Sequence, residues 1–251
     1  MPGEPSGSRA ELPGPGGLVL RLVACGDSAT LVTVTGGDPE RRWRCVRLLA
    51  ARLTPDQPPG LVGTVATYDA VLAEYDPLAL TFDETTAVVG RAVGPGDALD
   101  EVRPVVRVVV RVVYGGEFGP DLDELADELE LSPAELIRRH CAAPYVIRTV
   151  ASPAGAPMTD GPQLPHPPSR LAVPRVAVPG GSVAVAGRQG IVYATPSPGG
   201  WRLIGRTPQV LFDPHRDPPV PYRPGDLIEY VSIDSRDWSA HQGASPEVHA
   251  L

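Results

Sequence analysis

The chain has 251 residues, of which 42% are hydrophobic and 21% are charged, a balance typical of globular proteins rather than disordered ones. Its formal net charge of −8 argues against a broad nucleic-acid surface, because phosphate binding needs clustered cations. All 22 basic residues are Arg, and the absence of Lys excludes a Schiff base, a Walker-type phosphate lysine and a biotinyl-lysine on this chain.

The N-terminal segment precedes the first regular pattern. Residues 1–16 lack the positive start and the continuous apolar stretch of a signal peptide, and we expect a disordered leader there. Two short strands around a Gly-Asp turn follow. A helix is then predicted after Asp38, because Trp43, Val46 and Leu49 recur at helical spacing and Asp38 can cap the first turn.

The next segments complete a small α/β domain. Residues 61–76 have the pattern of strand, turn and strand, and a helix is expected around residues 84–93. A Gly- and Asp-containing linker then leads to Pro104. We therefore predict an N-terminal α/β domain over residues 17–104.

The second half of the chain has the pattern of a β domain. Val and Arg alternate in PVVRVVVRVVYGG, which predicts an opening strand, and two short helices end at His140. Beyond His140, strand and turn signals continue almost to Asp234, and the chain contains 31 Pro and 27 Gly. We expect a closed β-barrel over residues 105–235 and a flexible tail at residues 236–251.

Several classes of protein are excluded or disfavoured. No apolar run approaches the ~18–20 residues of a membrane-spanning helix. Three widely spaced Cys fit neither a disulfide framework nor a CxxC site, which favours a reducing cytoplasm. The five His show no metal-ligand spacing, so we predict no metal site.

One loop, PSPGGWRLIGRTP, has the residue types of an anion site. Gly199 and Gly200 let the backbone approach a ligand, and successive amides favour phosphate or carboxylate. Ser197, Trp201 and Arg206 add a hydroxyl, an aromatic face and a cation. The alternative is a barrel turn, since hairpins also require glycine.

Two further candidates have an equally simple structural alternative. Arg175 and Arg206 can each bind an anion in a bidentate manner, but arginines in β proteins are more often ion-pair partners. His140 ends a helix, where an imidazolium interacts favourably with the helix dipole without any chemistry.

Four segments together resemble one known family: YGGEFGPDLDELA, the region from His140 to Tyr145, PRVAVPGGSVAVAGRQ and SPGGWRLIGRTPQVLFDP. The opening GDSATLV is also similar to the family's start, so the resemblance spans about residues 17–234. The family includes the B component of 5-oxoprolinase, allophanate hydrolase subunit 1, a sporulation kinase inhibitor and half of the carboxyltransferase region of urea carboxylase. The resemblance implies an α+β, mostly β chain, in which a small α/β domain precedes a cyclophilin-like β-barrel.

The resemblance also implies a function and partners. In the oxoprolinase members, ATP with Mg²⁺ phosphorylates the lactam oxygen of 5-oxoproline, which is then opened to glutamate. The implied protein is a cytoplasmic hydrolase component, active only with a partner of the biotin-dependent carboxyltransferase family, the C component, while an A component assists ring opening. A divergent paralogue would act on a related amide or lactam. The alternatives are a non-catalytic inhibitor of a sensor histidine kinase and half of a carboxyltransferase whose biotin is carried by another protein.

The matched motifs imply particular site residues. The implied catalytic residues are His140, Arg175 and Gln189, and the implied substrate- or nucleotide-binding residues are Gly155, Pro157, Ser197, Gly199, Gly200, Trp201 and Arg206.

One segment departs from the family pattern. Residues 151–161 are ASPAGAPMTDG, where relatives usually have the aromatic-rich GFxPGFxYL. Ser152, Ala156 and Met158 stand where aromatic residues are expected, and each lost ring removes packing and stacking of about 1 kcal/mol or more. We expect this change to affect the substrate more than the fold.

Overall fold

The computed structural model describes residues 9–53, 58–100, 103–151 and 154–251. The chain divides into two compact units, Met1–Val102 and Arg103–Leu251, next to the boundary expected at Pro104. Within the described ranges, no helix is both long and apolar enough to cross a membrane.

The first unit is an antiparallel sheet with two helices packed on it. Its elements are β1 (Arg9–Pro13), β2 (Val19–Ala24), β3 (Ala29–Thr35), α1 (Pro39–Arg52), β4 (Leu61–Ala66), β5 (Ala70–Tyr75) and α2 (Phe82–Ala92). The strand order is β1-β2-β3-β5-β4. The unit is the small α/β domain that the sequence predicts.

Helix α1 forms for the reasons visible in the sequence. The Asp38 carboxylate accepts a hydrogen bond from a first-turn amide at 2.8 Å, and Pro39 occupies the first helical position, where its missing N–H costs nothing. Trp43, Val46 and Leu49 are buried, and Val46 and Leu49 belong to the core of the unit. The helix is thus held by one capped end and one apolar face.

Strand β1 lies inside the segment expected to be a disordered leader. It pairs antiparallel with β2 over its whole length. Ala10 and Leu12 pack against the core of the unit and alternate with exposed neighbours. Residues 9–13 are therefore a sheet edge rather than a disordered leader, because two apolar side chains suffice once a partner strand is present; residues 1–8 lie outside the described residues.

The second unit is rich in strands. Its elements are β6 (Val106–Tyr114), α3 (Leu122–Glu128), α4 (Pro133–His140), β7 (Tyr145–Ala151), β8 (Ala156–Asp160), β9 (Arg175–Val178), β10 (Ser182–Ala186), β11 (Gln189–Val192), β12 (Ser197–Gly199), β13 (Arg202–Arg206), β14 (Leu227–Ser232), α5 (Trp238–His241) and β15 (Glu247–Ala250).

Seven of these strands form a closed barrel, which confirms the predicted architecture. The order is β13-β10-β11-β8-β7-β14-β6, and β6 closes the circle by pairing with β13. In β6, the buried Val108, Val110 and Val112 alternate with Arg107 and Arg111, as the sequence pattern indicates. The barrel interior is therefore a packed apolar core.

Strand β14 pairs parallel with β6, so a strand from late in the unit lies beside the unit's first strand. Asp226, which is 3% exposed, accepts hydrogen bonds from the amides of Val105 and Val106 at 2.9 and 3.1 Å. The same carboxylate accepts the Arg223 amide at 3.0 Å. A buried carboxylate is satisfied here by three backbone donors.

A glycine-rich loop connects β6 to α3. Gly115 and Gly116 have φ of 71° and 53°, the left-handed region that favours glycine. A Cβ at Gly119 would collide with the backbone oxygen of Ile204, so only glycine lets this loop lie against β13. The loop therefore has a fixed position on the barrel.

The C-terminal residues also fold back on the barrel. β15 pairs antiparallel with β6 from Glu247 opposite Val109 to Ala250 opposite Val106. The flexible tail expected at residues 236–251 is thus replaced by α5 and β15. All four side chains of β15 are exposed, so backbone pairing holds the strand and no apolar pattern marks it in the sequence.

Candidate functional site

The predicted anion loop lies on a two-stranded ribbon outside the barrel sheet. The ribbon consists of β9 and β12, with Arg175 opposite Gly199 and Ser197 opposite Val178. Gly200 follows directly in the chain. The structure therefore brings together four of the predicted residues: Arg175, Ser197, Gly199 and Gly200.

The two glycines of this loop have different surroundings. A Cβ at Gly199 would collide with the Tyr193 hydroxyl, so packing against Tyr193 already requires glycine. The nearest atoms to a Cβ at Gly200 would be those of Pro174, at 3.5 Å, an ordinary contact. Trp201 is 8% exposed and belongs to a buried cluster with Tyr193. Of the two glycines, Gly200 is the one that packing does not explain.

Arg175 is neutralised within the chain. Its Nη1 and Nη2 donate to Oδ2 and Oδ1 of Asp121 at 2.9 and 2.6 Å, and Asp121 is 4% exposed. Asp121 Oδ2 also accepts the Leu203 amide at 2.7 Å. The carboxylate therefore fastens the ribbon to the start of β13, and Arg175 already has its counter-charge.

Arg206 has a different environment at the end of β13. Its Nε donates to the Gly180 carbonyl oxygen at 2.9 Å. Its guanidinium carbon lies 5.5 Å from the ring centroid of Trp238, a cation–π distance. Among the described residues, no carboxylate lies within the 4.0 Å ion-pair distance of Arg206.

His140 is enclosed by tyrosines rather than presented to a ligand. It is 1% exposed, its Nδ1 lies 2.7 Å from the Tyr114 hydroxyl, and its ring packs on Tyr230 with centroids 4.3 Å apart. Burial lowers the pKa of His140 to about 3. The imidazole is therefore neutral near pH 7 and has the contacts of a core residue.

The remaining predicted residues lie at a neighbouring part of the barrel. Gln189 begins β11 opposite Asp160 of β8 and is half-buried. Gly155 has φ of 74°, and its carbonyl oxygen accepts the Tyr222 hydroxyl at 2.6 Å. Pro157 is buried within β8. These three residues belong to the barrel wall and to the turn that enters it.

The altered segment is packed into the same wall. Ala156 is fully buried, and Met158 packs against the cluster that contains Trp201. Ser152, the third position that differs from the family pattern, lies outside the described residues. Ala156 and Met158, which stand where the family pattern has aromatic residues, are therefore both packed within the barrel wall.

Two clefts lie beside the end of this segment. One of ≈ 320 Å³ lies between Gly161–Pro167 and Arg188, and one of ≈ 300 Å³ lies between Arg139 and Asp160. None of the predicted site residues lines either of these two clefts. The predicted residues instead occupy the ribbon, β13 and the residues before it, the tyrosine cluster and the barrel wall.

Three residues that matter to this geometry are absent from the predicted set. Asp121 lies within the motif YGGEFGPDLDELA but is not among the predicted site residues, although its position just after GGEFGP marks the end of a glycine-rich loop. Phe118 lies in that motif, and its ring centroid is 4.7 Å from that of Trp238. Trp238 falls in the expected flexible tail, where a lone tryptophan in a polar segment is itself a signal of packing.

Comparison with known proteins places the chain in a family. A sequence model described as carboxyltransferase domain, subdomain C and D, matches residues 20–222. The chain is similar to the B component of 5-oxoprolinase of Bacillus subtilis, with 42% identity over 132 residues, 53% of this chain and 55% of that protein. It is 43% identical to the same component of Escherichia coli O157:H7 over 47% of this chain and 54% of that protein. The chain thus matches about half the length of these curated relatives.

Solved structures agree with the fold. A conserved uncharacterized protein of Pyrococcus horikoshii is 32% identical, with a TM-score of 0.51, over 86% of this chain and 99% of that chain. The urea carboxylase of Kluyveromyces lactis has a TM-score of 0.80 over 100% of this chain and 26% of that chain. At 16% identity, the latter likeness concerns the fold alone. Because the sequence model covers most of both units, the chain belongs to the family of carboxyltransferase domain, subdomain C and D, proteins.

Proposed function

We propose that this chain is the B component of an ATP-dependent 5-oxoprolinase, which cleaves 5-oxoproline to glutamate. The observation that carries the proposal is the similarity to three relatives of that name, 40–43% identical over about half of the chain. The proposal extends their activity from the matched half to the whole protein. It also assigns the reaction to the cytoplasm, where ATP is available.

Phosphorylation of the lactam by ATP requires groups that bind the phosphate oxygens more than it requires a nucleophilic side chain. A lactam carbonyl is a poor electrophile, and transfer of the ATP γ-phosphoryl group to its oxygen activates the carbon and supplies a leaving group. Catalysis of such a transfer is mostly positioning and charge stabilisation. Mg²⁺ usually binds through substrate phosphates and one or two carboxylates, so it can enter with the nucleotide.

The contacts of the predicted residues suggest how they divide this work. Arg206, with no counter-charge among the described residues, would contact an anionic group of ATP or 5-oxoproline. The backbone at Gly200 and the Ser197 hydroxyl would add neutral donors. Arg175 would act through Asp121 by holding the ribbon in place, and His140 would act as a neutral packing residue.

The other predicted residues would shape the surroundings of that site. Gln189, Gly155 and Pro157 would form the adjoining barrel wall, and Trp201 would support the ribbon loop from the buried cluster that it shares with Tyr193.

The chain would act only with partners. We propose a complex with the C component of 5-oxoprolinase, a protein of the biotin-dependent carboxyltransferase family, and with the A component. The name of the matched relatives, which describes one part of a larger enzyme, supports this proposal. Biotin would not be attached to this chain, which has no Lys. The active site would then combine residues of this chain with those of the C component.

Reconstitution tests the proposal. The full chain is co-expressed with the C and A components from its own source, and ADP and glutamate are measured with and without 5-oxoproline. We expect ADP release that depends on 5-oxoproline, and a loss of about tenfold or more in kcat/KM for Arg206→Gln, since hydrogen bonds to charged groups contribute about 1.5–3 kcal/mol. A folded complex that releases no ADP in response to 5-oxoproline contradicts the proposal. Activity that requires a biotinylated carrier protein instead supports the carboxyltransferase alternative.

A further inference from the structure

Arg206 has an unusual charge environment within the second unit. Among the described residues of that unit, every other arginine either lies within 4.0 Å of a carboxylate or is exposed to solvent. Arg206 is half-buried, and no carboxylate in the described part of the chain lies within that distance of it. A cation that loses part of its hydration without an ion partner is unfavourable, so its retention indicates an anion supplied from outside the chain.

The guanidinium of Arg206 is held from two sides. Nε is engaged by the Gly180 carbonyl oxygen at 2.9 Å, and the carbon of the guanidinium lies 5.5 Å from the centre of the Trp238 ring. The Trp238 ring in turn packs on Phe118, with centroids 4.7 Å apart. With Nε engaged, the two terminal nitrogens remain for an external acceptor in the paired geometry that suits an oxyanion.

The fold anchors the backbone segments that carry both aromatic rings. Phe118 belongs to the glycine-rich loop, whose Gly119 lies directly against the backbone of β13, and the Phe118 amide donates to the Gly115 carbonyl at 3.1 Å. Trp238 follows a turn in which Asp234 accepts the Arg236 amide at 2.9 Å. The chain after Trp238 is anchored by backbone hydrogen bonds and by β15.

We infer that Phe118, Trp238 and Arg206 form an oxyanion clamp, in which Arg206 binds the ligand and Trp238 is a positioning residue that orients the guanidinium. The chemical class of the ligand is a carboxylate or phosphate oxyanion. This inference rests on the proposed function for the source of that group, which is the carboxylate of 5-oxoproline or the phosphates of ATP. Trp238 lies beyond residues 20–222, the range that the family sequence model matches.

The indole N–H signals of the three tryptophans allow a direct test on the full chain. The isotope-labelled chain, alone and in complex with the unlabelled C component, is titrated separately with inorganic phosphate, 5-oxoproline and ATP at constant ionic strength, and Trp238→Phe identifies the Trp238 signal. We expect at least one probe to move the Trp238 signal in a saturable manner. The probe that binds most tightly identifies the source of the oxyanion.

Variants separate orientation from simple charge, and because two of them lack the Trp238 signal, all affinities are compared by isothermal titration calorimetry. Trp238→Leu removes the aromatic face and is expected to weaken binding roughly two- to thirtyfold, the range of a cation–π contribution of about 0.5–2 kcal/mol. Trp238→Phe keeps an aromatic face and should recover part of the affinity. Arg206→Lys keeps the charge but loses the paired nitrogens, and about a tenfold loss is expected. Arg223→Gln removes an exposed arginine and serves as the matched control, with unchanged affinity.

Three results would overturn the clamp. These are a Trp238 signal that no probe moves, a folded Trp238→Leu protein that binds as tightly as the parent, and an equal loss in Arg223→Gln. Circular dichroism and thermal unfolding confirm that each variant is folded. The clamp and the proposed function can also fail separately. Saturable binding without turnover contradicts only the proposed function. Turnover that neither Trp238→Leu nor Arg206→Lys changes contradicts only the clamp.

Discussion

Arg175 and Asp121 form a two-point ion pair, with nitrogen–oxygen distances of 2.9 and 2.6 Å, and the carboxylate also holds the Leu203 amide. The pair links the ribbon to the barrel because the two residues lie on β9 and on the loop before α3. The structure therefore gives Arg175 an architectural role that its sequence motif does not specify.

This pair yields a stability prediction. Asp121→Asn keeps the shape but removes the charge that Arg175 and the Leu203 amide share, and we expect the free energy of unfolding to fall by about 2–3 kcal/mol, as for hydrogen bonds to charged groups. Urea denaturation measures the change. Arg138→Gln, which breaks an exposed ion pair with Glu135, is the control and should cost less than about 1 kcal/mol. Equal losses in the free energy of unfolding for the two substitutions would show that the Arg175–Asp121 pair stabilises the fold no more than an exposed ion pair does.

His140 should make stability depend on pH. Burial lowers its pKa from 6.5 to about 3, so below pH 6.5 the unfolded chain binds a proton that the folded chain does not. The folded state is therefore destabilised as pH falls, with a slope that reaches about 1.4 kcal/mol per pH unit below pH 6.5. Because the slope is small above pH 6.5, the total loss between pH 7 and pH 5 is about 2 kcal/mol.

The measurement compares unfolding free energies of the parent and of His140→Gln at these two pH values. The glutamine variant cannot titrate at this position, so its own loss on acidification should be smaller by that amount. Identical pH dependence of the two proteins would argue against a buried neutral imidazole.

The two glycines of the ribbon loop can be distinguished by alanine. In Gly199→Ala, the new methyl group collides with the Tyr193 hydroxyl, and we expect a loss of about 1–3 kcal/mol in the free energy of unfolding from overpacking. Gly200→Ala adds a methyl group at ordinary packing distance and should cost less than about 1 kcal/mol. If ligand approaches the Gly200 backbone, Gly200→Ala will raise KM while thermal unfolding stays near that of the parent. An unchanged KM would contradict ligand approach to the Gly200 backbone.

The three free cysteines should differ in reactivity. The thiolate is the reactive form, and burial raises the pKa of Cys45 to about 11 and raises that of Cys141. Cys25 is exposed. Brief iodoacetamide treatment of the native chain near pH 8 is therefore expected to label Cys25 first, as measured by peptide mass spectrometry, and urea should make all three react. Native Cys45 labelling as fast as Cys25 would contradict the burial of the Cys45 side chain.

Much of the fold follows from local patterns in the sequence. Trp43, Val46 and Leu49 define the buried face of α1, and the Val–Arg alternation defines β6, because helical and extended periodicities differ strongly. β1 and β15 escape such patterns for a physical reason. Edge strands held by backbone pairing need few apolar side chains. Their sequences therefore lack the apolar alternation that would predict a strand.

The site is less predictable than the fold. The motif indicates Arg175 and Arg206 equally, yet Arg175 is paired with Asp121, a residue 54 positions away, and Arg206 has no such partner among the described residues. His140 matches a motif, but its tyrosine neighbours come from β6, β7 and β14. Local sequence identifies residue types, whereas counter-charges and burial depend on the closed barrel.

The parallel pairing of β6 with β14 has a consequence for synthesis. The hydrogen bond from the Val105 amide to Asp226 joins residues 121 positions apart, and β15 follows later still. Until the ribosome has made β14 and β15, β6 lacks two of its three partner strands, and its unpaired edge can join that of another chain. Contacts of such long range also slow folding. Nascent chains that stop before β14 should therefore be the species that needs a chaperone, rather than the finished barrel.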